Sequence, residues 1–364
     1  MDFTELKSII EINSWTKNKE GVDKNGAIFA NWLEELGMQL TRYTRETIGD
    51  HLHFKSTKKE GAKLLLLGHL DTVFPPHTFE DFREDEAWIY GPGVCDMKGG
   101  NFVALQALRE IYKARGEIDN IDFLLVSDEE TGSDDSKYLS AKLAKEYDYC
   151  MVFEAAGVYN EVVTARKGVG TFFIDIEGKA AHAGNHYSDG ADANLEAAHK
   201  LIELVALTNL EKETTVNVGK IDGGIGANTI SPKARLTFEL RYTTAQERDR
   251  VLTAIDTIVA HSHIKGTLST LSGGIQRDVM QDSQIQQDFV EKINTLCDIS
   301  LLTEHRGGVS DANVISSQGV PTLDGWGPFG DGDHTIHERA SKESFEQRIA
   351  LVTTIFRHFI DGAF

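Results

Sequence analysis

Three short, mostly apolar runs constrain this chain more than any other feature of its sequence. They are Leu64-Leu65-Leu66-Leu67, Ile121-Asp122-Phe123-Leu124-Leu125-Val126 and the stretch 148–153, which ends in Phe153. A run without clean alternation, bounded by turn residues, reads as a strand buried on both faces, as in a sheet covered by helices. Helical patterns separate the runs. Phe102, Leu105, Leu108, Ile111 and Tyr112 share a face over residues 99–115, and residues 135–145 read as another helix. Strands alternating with helices indicate βαβ units. Two further helices precede them, over residues 3–12 and about 25–36, and His51-Leu52-His53-Phe54-Lys55 alternates like a half-buried strand.

Near residue 168 the texture changes. Residues 170–177, 215–220 and 233–241 alternate, while 191–207 and 246–261 are helical. This is a strand-helix-strand-strand-helix module, closed by Leu271-Ser272-Gly273-Gly274. After Ile275 the α/β texture returns, with helices over 283–297 and 341–359 and a loop over 306–311. A chain of 364 residues exceeds one ordinary core. The expected fold is therefore a larger α/β domain, residues 1–167 and 276–364, with a central mixed sheet flanked by helices. Into it is inserted a smaller α+β, ferredoxin-like domain, residues 168–275.

The charge excludes some partners. Against 37 Lys and Arg stand 57 Asp and Glu, a formal net charge of −20, which repels phosphate backbones and anionic bilayers. Neither nucleic acid nor a membrane is an expected partner. Three widely spaced cysteines suit a reducing compartment better than a disulfide framework. The first residues are acidic and lack the basic-then-apolar pattern of a signal peptide, so a cytoplasmic location is expected.

The ends of the strands carry the chemistry. The first run ends at His69-Leu70-Asp71, the second at Ser127-Asp128-Glu129-Glu130 and the third at Glu154. Between the first two lies the turn Gly91-Pro92-Gly93-Val94-Cys95-Asp96-Met97-Lys98-Gly99-Gly100. Ligands of open α/β sheets bind at the carboxyl ends of the strands, so a histidine and several carboxylates converge on one rim. Imidazole with carboxylate suits zinc, with manganese or cobalt as substitutes. Each residue alone reads as a loop or surface position; their joint placement points to a metal site. The glycine-rich turn lacks the rest of a nucleotide-binding pattern.

Gly68-His69-Leu70-Asp71-Thr72-Val73, the turn through Asp96, and Asp128-Glu129-Glu130-Thr131-Gly132-Ser133 closely resemble the signatures of the co-catalytic di-zinc exopeptidases and deacylases. That group includes glutamate carboxypeptidase, aminoacylase, peptidase T, acetylornithine deacetylase and succinyl-diaminopimelate desuccinylase. Asp96-Met97-Lys98-Gly99-Gly100 and Gly307-Gly308-Val309-Ser310-Asp311 look most like the glutamate carboxypeptidase branch. The resemblance implies two zinc ions bridged by Asp96, one held also by His69 and Glu154, the other by Glu130 and His334. It implies Glu129 as general base, Asp71 as the partner orienting His69, and a cis peptide at Asp96-Met97. His334 rather than His337 fits the family spacing, because the ligand is followed at the fourth residue by Glu, here Glu338. In the inserted module, His182 resembles a histidine that reaches the partner subunit's site and stabilises an oxyanion. Asn228 looks like the family's substrate-contacting Asn. Arg241, Arg277 and the Gly307-Gly308 backbone are candidates for a substrate carboxylate, although Asp278 stands where the family usually has Pro. A homodimer formed through the inserted domain is expected. If His182 is to approach the zincs, the architecture further predicts closure of that domain over the larger one, with hinges near Gly168 and Gly273-Gly274.

The expected activity is that of a carboxypeptidase-like hydrolase cleaving the amide bond to a C-terminal amino acid, possibly glutamate, in short peptides or N-acyl amino acids. An N-acyl-amino-acid deacylase or aminopeptidase shares the metal centre. A catalytically silent metal-binding dimeric scaffold is a more remote alternative, because such a scaffold is expected to have lost a ligand or the base, and none is missing.

Overall fold

A computed structural model describes residues 1–364. The chain divides into two compact units, Met1–Ala165 with Asp282–Phe364, and Arg166–Gln281. The first begins with helices α1 (Thr4–Ile10) and α2 (Lys19–Glu34). α2 starts six residues before its expected position. Asn18 caps it by accepting the Gly21 N–H at 3.3 Å, and Lys19–Asp23 and Lys24–Glu20 pair one turn apart. Val22 is the one buried apolar side chain of this stretch, and the charged residues around it interrupt the apolar period that betrays the rest of α2.

The main sheet contains β1 (Gln39–Tyr43), β2 (His51–Lys55), β3 (Leu64–His69), β4 (Ile121–Val126), β5 (Tyr149–Val152) and the short strand Thr322–Leu323. Its order is β1-β2-β4-β3-β5, then Thr322–Leu323. The pairs β4-β3, β3-β5 and β5 with Thr322–Leu323 are parallel, and β1-β2 and β2-β4 are antiparallel. β3 and β4 are buried at every residue, as expected for central strands. Helices α3 (Lys98–Arg115) and Lys342–Ile360 bring Phe102, Leu105, Leu108, Val352, Ile355 and Phe356 into the same core as Leu66, Phe123 and Met151. Helix α4 (Ser136–Ala144) connects β4 to β5. A small sheet of Arg83–Glu84, Trp88–Tyr90, Arg339–Ser341 and Gly330–Asp331 joins two distant parts of the chain. No helix is long and apolar enough to cross a membrane.

The second unit runs β6 (Gly168–Glu177), α5 (Ala193–Val205), β7 (Thr215–Gly223), β8 (Lys233–Tyr242), α6 (Ala245–Ala260) and β9 (Leu268–Arg277). The sheet is antiparallel in the order β7-β8-β6-β9, a split βαβ arrangement, over a separate core that includes Phe172, Leu236, Phe238 and Val251. Residues 271–274, expected as a closing turn, are instead the middle of β9. Gly273 takes a left-handed φ of 90° yet pairs with Phe172. The Gly-Gly pair signals a turn locally, and only the free edge of β6 makes it a strand.

Candidate metal centre

β3, β4 and β5 lie side by side and parallel, so their carboxyl ends form one rim. The ladder continues past the strands themselves: Leu70 N–H donates to Val126 O at 2.8 Å and Phe153 N–H to Leu67 O at 3.1 Å. His69 and Glu154 are thus held at adjacent strand ends by backbone pairing alone. Glu129 and Glu130 follow β4 in a single 3-10 turn, Glu129–Thr131. That turn is fixed by Thr131 and Ser133 N–H groups donating to Asp128 O.

Asp96 reaches the rim from the glycine-rich turn that starts α3. The glycines there serve packing rather than phosphate binding. A Cβ on Gly100 would stand 1.8 Å from the Phe153 carbonyl oxygen, and one on Gly99 would stand 2.0 Å from that of Val94. Only glycine lets the first turn of α3 lie against the strand end that precedes Glu154. The peptide Asp96-Met97 is cis, as expected. The turn is tied from behind by Glu338, which is fully enclosed. Its carboxylate accepts the N–H of Gly93 at 2.9 Å, of Cys95 at 3.0 Å and of Asp96 at 3.1 Å. Burial pushes this carboxyl up to about 7, with Asp96 adding to the rise and the three N–H groups opposing it. The spacing rule that selected His334 therefore has a physical basis: Glu338 holds the Asp96 turn, and His334 lies on the loop that Glu338 closes. His334 takes a left-handed φ of 61° between the two strands of the small sheet. His337 remains exposed and outside both metal-ligating groups.

Five side chains converge as two groups that share Asp96: His69, Asp96 and Glu154, and Asp96, Glu130 and His334, with the ligand atoms of each group within 4.8 Å of one another. His69 Nε2 stands 3.1 Å from Asp96 Oδ1 and 3.7 Å from Glu154 Oε1. His334 Nε2 stands 3.2 Å from both Asp96 Oδ2 and Glu130 Oε2. Each oxygen of Asp96 thus faces a different imidazole. On the other side of His69, Nδ1 lies 3.0 Å from the Asp71 carbonyl oxygen and 3.4 Å from its carboxylate. This directs Nε2 into the site. The Asp71 carboxylate accepts from Thr16 Oγ1 at 2.7 Å and from Glu130 N–H at 3.3 Å, linking the two groups.

The electrostatics fit a cation site. Burial and the neighbouring Asp96 push Glu130 and Glu154 well above the usual carboxylate range, and Glu129 adds to both. Asp96 is held low despite burial by the imidazoles of His334 and His69. Hydrogen bonds to Asp96 and Glu130 push His334 up to about 11. His69 also rises, burial being outweighed by Asp71 and Asp96. Four carboxylates and two imidazoles in one buried rim cannot all carry their ordinary charges without cations among them.

Three supporting residues were given no role in the sequence reading. Thr16 reaches Asp71 because Thr16 N–H and Thr72 N–H pair the 14–16 and 72 loops. Asn101 Nδ2 donates to His69 O at 2.7 Å. Lys98, enclosed, donates to Ile9 O at 2.9 Å and Ile12 O at 2.8 Å. Lys98 and Asn101 lie on the first turn of α3, just after Asp96, the only sequence signal they carried. Ser133 hydrogen-bonds to Asp311, joining the Glu129–Thr131 turn to the loop that follows the exposed Gly307 and Gly308.

The remaining candidates lie in the second unit. His182 is exposed, and its Nδ1 accepts N–H from Gly184 at 3.1 Å and Asn185 at 3.2 Å. The ring is therefore the tautomer with hydrogen on Nε2, a donor. Asn228 is its close neighbour, through Ala183 N–H to Asn228 O at 3.0 Å and the His182–Thr229 bridge. Arg241 and Arg277 flank Val169 in register from the two neighbouring strands. Arg241 pairs with Glu239, Nε to Oε1 at 2.7 Å, and Arg277 is buried. Asp278 accepts the Tyr242 hydroxyl at 2.8 Å and pairs with Arg248, contacts that a Pro would lack.

Residues 65–358 match Peptidase family M20/M25/M40. The chain is 30% identical over 258 residues to carboxypeptidase G2 of Pseudomonas sp., covering 69% of this chain and 62% of that protein. It is 33% identical over 202 residues to N-acetyl-L-citrulline deacetylase of Xanthomonas campestris, covering 52% and 53%. The chain thus spans only part of the length of these two relatives. Its fold superposes on the aminopeptidase PepT of Bacillus cereus with a TM-score of 0.79 at 21% identity, covering 98% and 97% of the two chains. The chain belongs to peptidase family M20/M25/M40.

Proposed function

We propose that the protein is a two-zinc, carboxypeptidase-like hydrolase that releases a C-terminal amino acid, with glutamate as the leading candidate, from short peptides or N-acyl amino acids. The observation that carries this reading is the pair of three-residue groups that share Asp96 beside Glu129. The residues fit the ions: imidazole nitrogen and carboxylate oxygen are zinc donors, and His69 is already turned by Asp71 to present Nε2. His69, Glu154 and Asp96 would hold one zinc, and Glu130, His334 and Asp96 the other. When bound, the pair supplies Lewis acidity to a water and to the scissile carbonyl.

Glu129 takes a proton from the attacking water as its oxygen adds to the carbonyl carbon. It then gives that proton to the leaving nitrogen as the C–N bond breaks, so a carboxylic acid and a free amine result. His182, donating from Nε2, is assigned to the oxyanion in the partner subunit's site, as the family resemblance implies. Arg241, Arg277 and the Gly308 N–H are each assigned as candidates for the free carboxylate of the substrate, and Asn228 as a candidate substrate contact.

N-acyl-amino-acid deacylation is the second reading, favoured by the likeness to N-acetyl-L-citrulline deacetylase. A homodimer through the second unit and a cytoplasmic location belong to the same proposal. Leu195, Ile202 and Val205 form an exposed apolar stripe on α5, beside the open edge of β7, and the three cysteines are free.

The test is hydrolysis of an acyl-glutamate series with and without chelator. Chelator-sensitive release that disappears when the terminal carboxylate is amidated, and persists when the amino end is blocked, is the expected result. Activity that requires a free amino end instead identifies an aminopeptidase and overturns the assignment.

A further inference from the structure

The Gly307-Gly308 loop is held at both ends, and each holding point adjoins a part of the chain that carries a candidate metal ligand. Arg306, the residue before it, ends the strand Thr303–Arg306. Its Nη1 donates to the Ala155 carbonyl oxygen at 2.9 Å, while Nε donates to Glu304 Oε1 at 2.6 Å and so fixes the plane of the guanidinium. Ala155 directly follows Glu154, whose own carbonyl oxygen accepts the Gly327 N–H at 2.8 Å. On the far side of the loop, the buried Asp311 accepts the Ser133 hydroxyl. Ser133 closes the turn that carries Glu129 and Glu130, its N–H donating to Asp128 O at 2.9 Å. Only four residues stand between Arg306 and Asp311, and the last of them, Ser310, donates from Oγ to Asp324 Oδ2 at 2.6 Å.

Ser133 stands in a conformation better suited to glycine. It is fully buried and takes a left-handed φ of 55°, directly after Gly132 at 105°. Glycine adopts such a φ without steric cost, whereas a side chain at Cβ is crowded there. A serine in this place carries a backbone cost that its hydroxyl can offset, and the hydroxyl is bonded to Asp311.

We infer that Arg306, Ser133 and Asp311 are positioning residues that hold the Gly307-Gly308 backbone at one set distance from the metal pair, and that this distance selects substrates whose carboxylate is borne on the carbon next to the scissile nitrogen. The inference rests on the reading that the Gly308 N–H meets the free carboxylate of the substrate. An α-amino acid has one carbon between its nitrogen and its carboxylate, and a β-amino acid has two. A loop free to shift would accept both. A loop pinned at Ala155 and at Ser133 does not follow the longer substrate, so with the carbonyl at the metals the extra carbon leaves the carboxylate misplaced. Arg306 ties the loop to the side of Glu154, and the Ser133–Asp311 bond ties it to the side of Glu129, so carboxylate anchor, metals and base share one frame.

The test compares zinc-loaded wild type with S133G, in which glycine keeps the left-handed φ and only the hydroxyl is lost. Three substrates are used: the best-cleaved N-acyl α-amino acid, its α-carboxamide, and its homologue with one carbon inserted before the carboxylate. Cleavage is followed by the acyl acid released. Wild type should prefer the first substrate over both others. S133G should lose about tenfold or more of each preference, mainly through a higher KM for the α-acid, with kcat/KM for the carboxamide close to the wild-type value. Unchanged preferences in S133G, or an equal loss on all three substrates, overturn the inference. If S133G does not fold, R306Q takes its place with the same expected and overturning results. Wild type that cleaves the acid and the carboxamide equally overturns the reading of a carboxylate site, and this inference with it. Wild type that rejects the carboxamide but accepts the homologue overturns this inference alone.

Discussion

Glu129 and Glu130 are adjacent in the chain but are given different work by their surroundings. Glu130 faces His334 and receives its backbone anchor from Asp71, whereas Glu129 acts on the site through its charge. E129Q should therefore keep its zinc and lose turnover by about 10²–10⁴-fold, the usual contribution of a positioned base. Metal analysis beside kcat checks this, and zinc loss in E129Q would make Glu129 a ligand. The imidazole of His334 carries a separate prediction. With its proton held up to about 11 by Asp96 and Glu130, it is protonated at neutral pH. A zinc ion must expel that proton, so binding should release protons near pH 7 and tighten as pH rises. A pH indicator in weak buffer measures the release. H334N should release fewer protons per zinc, and an unchanged yield would exclude His334 as a ligand.

Two elements make the rim rigid. Helix α3 presses its glycine-bearing first turn against the end of β5, and G100A would drive a methyl into the Phe153 carbonyl. Overpacking of this kind costs about 1–3 kcal/mol, and the shift falls on the residue before Glu154. G100A should thus lower both the urea midpoint and zinc retention on dialysis, and wild-type values for both would show that the helix has room to move. Strand β2 contributes differently. His53, enclosed, hydrogen-bonds through Nε2 to the Tyr147 hydroxyl at 2.8 Å, and Tyr147 donates to Asp122 at 2.7 Å. Burial lowers His53 from 6.5 to about 4. Between those values the unfolded chain binds a proton that the folded chain does not. Stability is fully present above about pH 6.5 and is lost as pH falls toward 4, by at most about 3 kcal/mol. Urea midpoints at pH 7 and 4.5 should differ more for wild type than for H53Q. An equal difference would assign the acid sensitivity to other groups.

At the scale of the molecule, the second unit has its own core and its own unused surfaces. The stripe Leu195, Ile202 and Val205 lies on one face of α5, opposite the residues that enter the core, Ala193, Ala197 and Leu204. An apolar face at helical spacing that avoids the core of its own unit suits a second copy of the chain. I202E should leave secondary structure unchanged and shift sedimentation toward the monomer. If wild type and I202E sediment alike, this face is not the contact.

The candidate metal centre was legible because most of its candidate ligands end strands whose hydrophobic runs are unmistakable. A buried parallel strand must finish at the rim, so His69, Glu154 and the Glu129-Glu130 pair could be placed there from local pattern, while the choice between the two glutamates came from the family resemblance. Asp96 stands out in the glycine-rich turn between the strand ends, whereas His334 sits in a turn with no periodicity and only the resemblance to a family pointed to it. The reasons for those positions are nonlocal. Glu338 holds the Asp96 turn across 242 residues of chain, and Thr16 steadies Asp71 across 55. The start of α2 and the whole of β9 escaped for the same reason: neither carries a hydrophobic period, and each is fixed by a partner, Asn18 for one and the edge of β6 for the other. Hydrophobic pattern is a property of neighbours in sequence and fixed the central strands and helices. Caps, edge pairing and buried carboxylates answer to neighbours in space, and those exist only once the chain has folded.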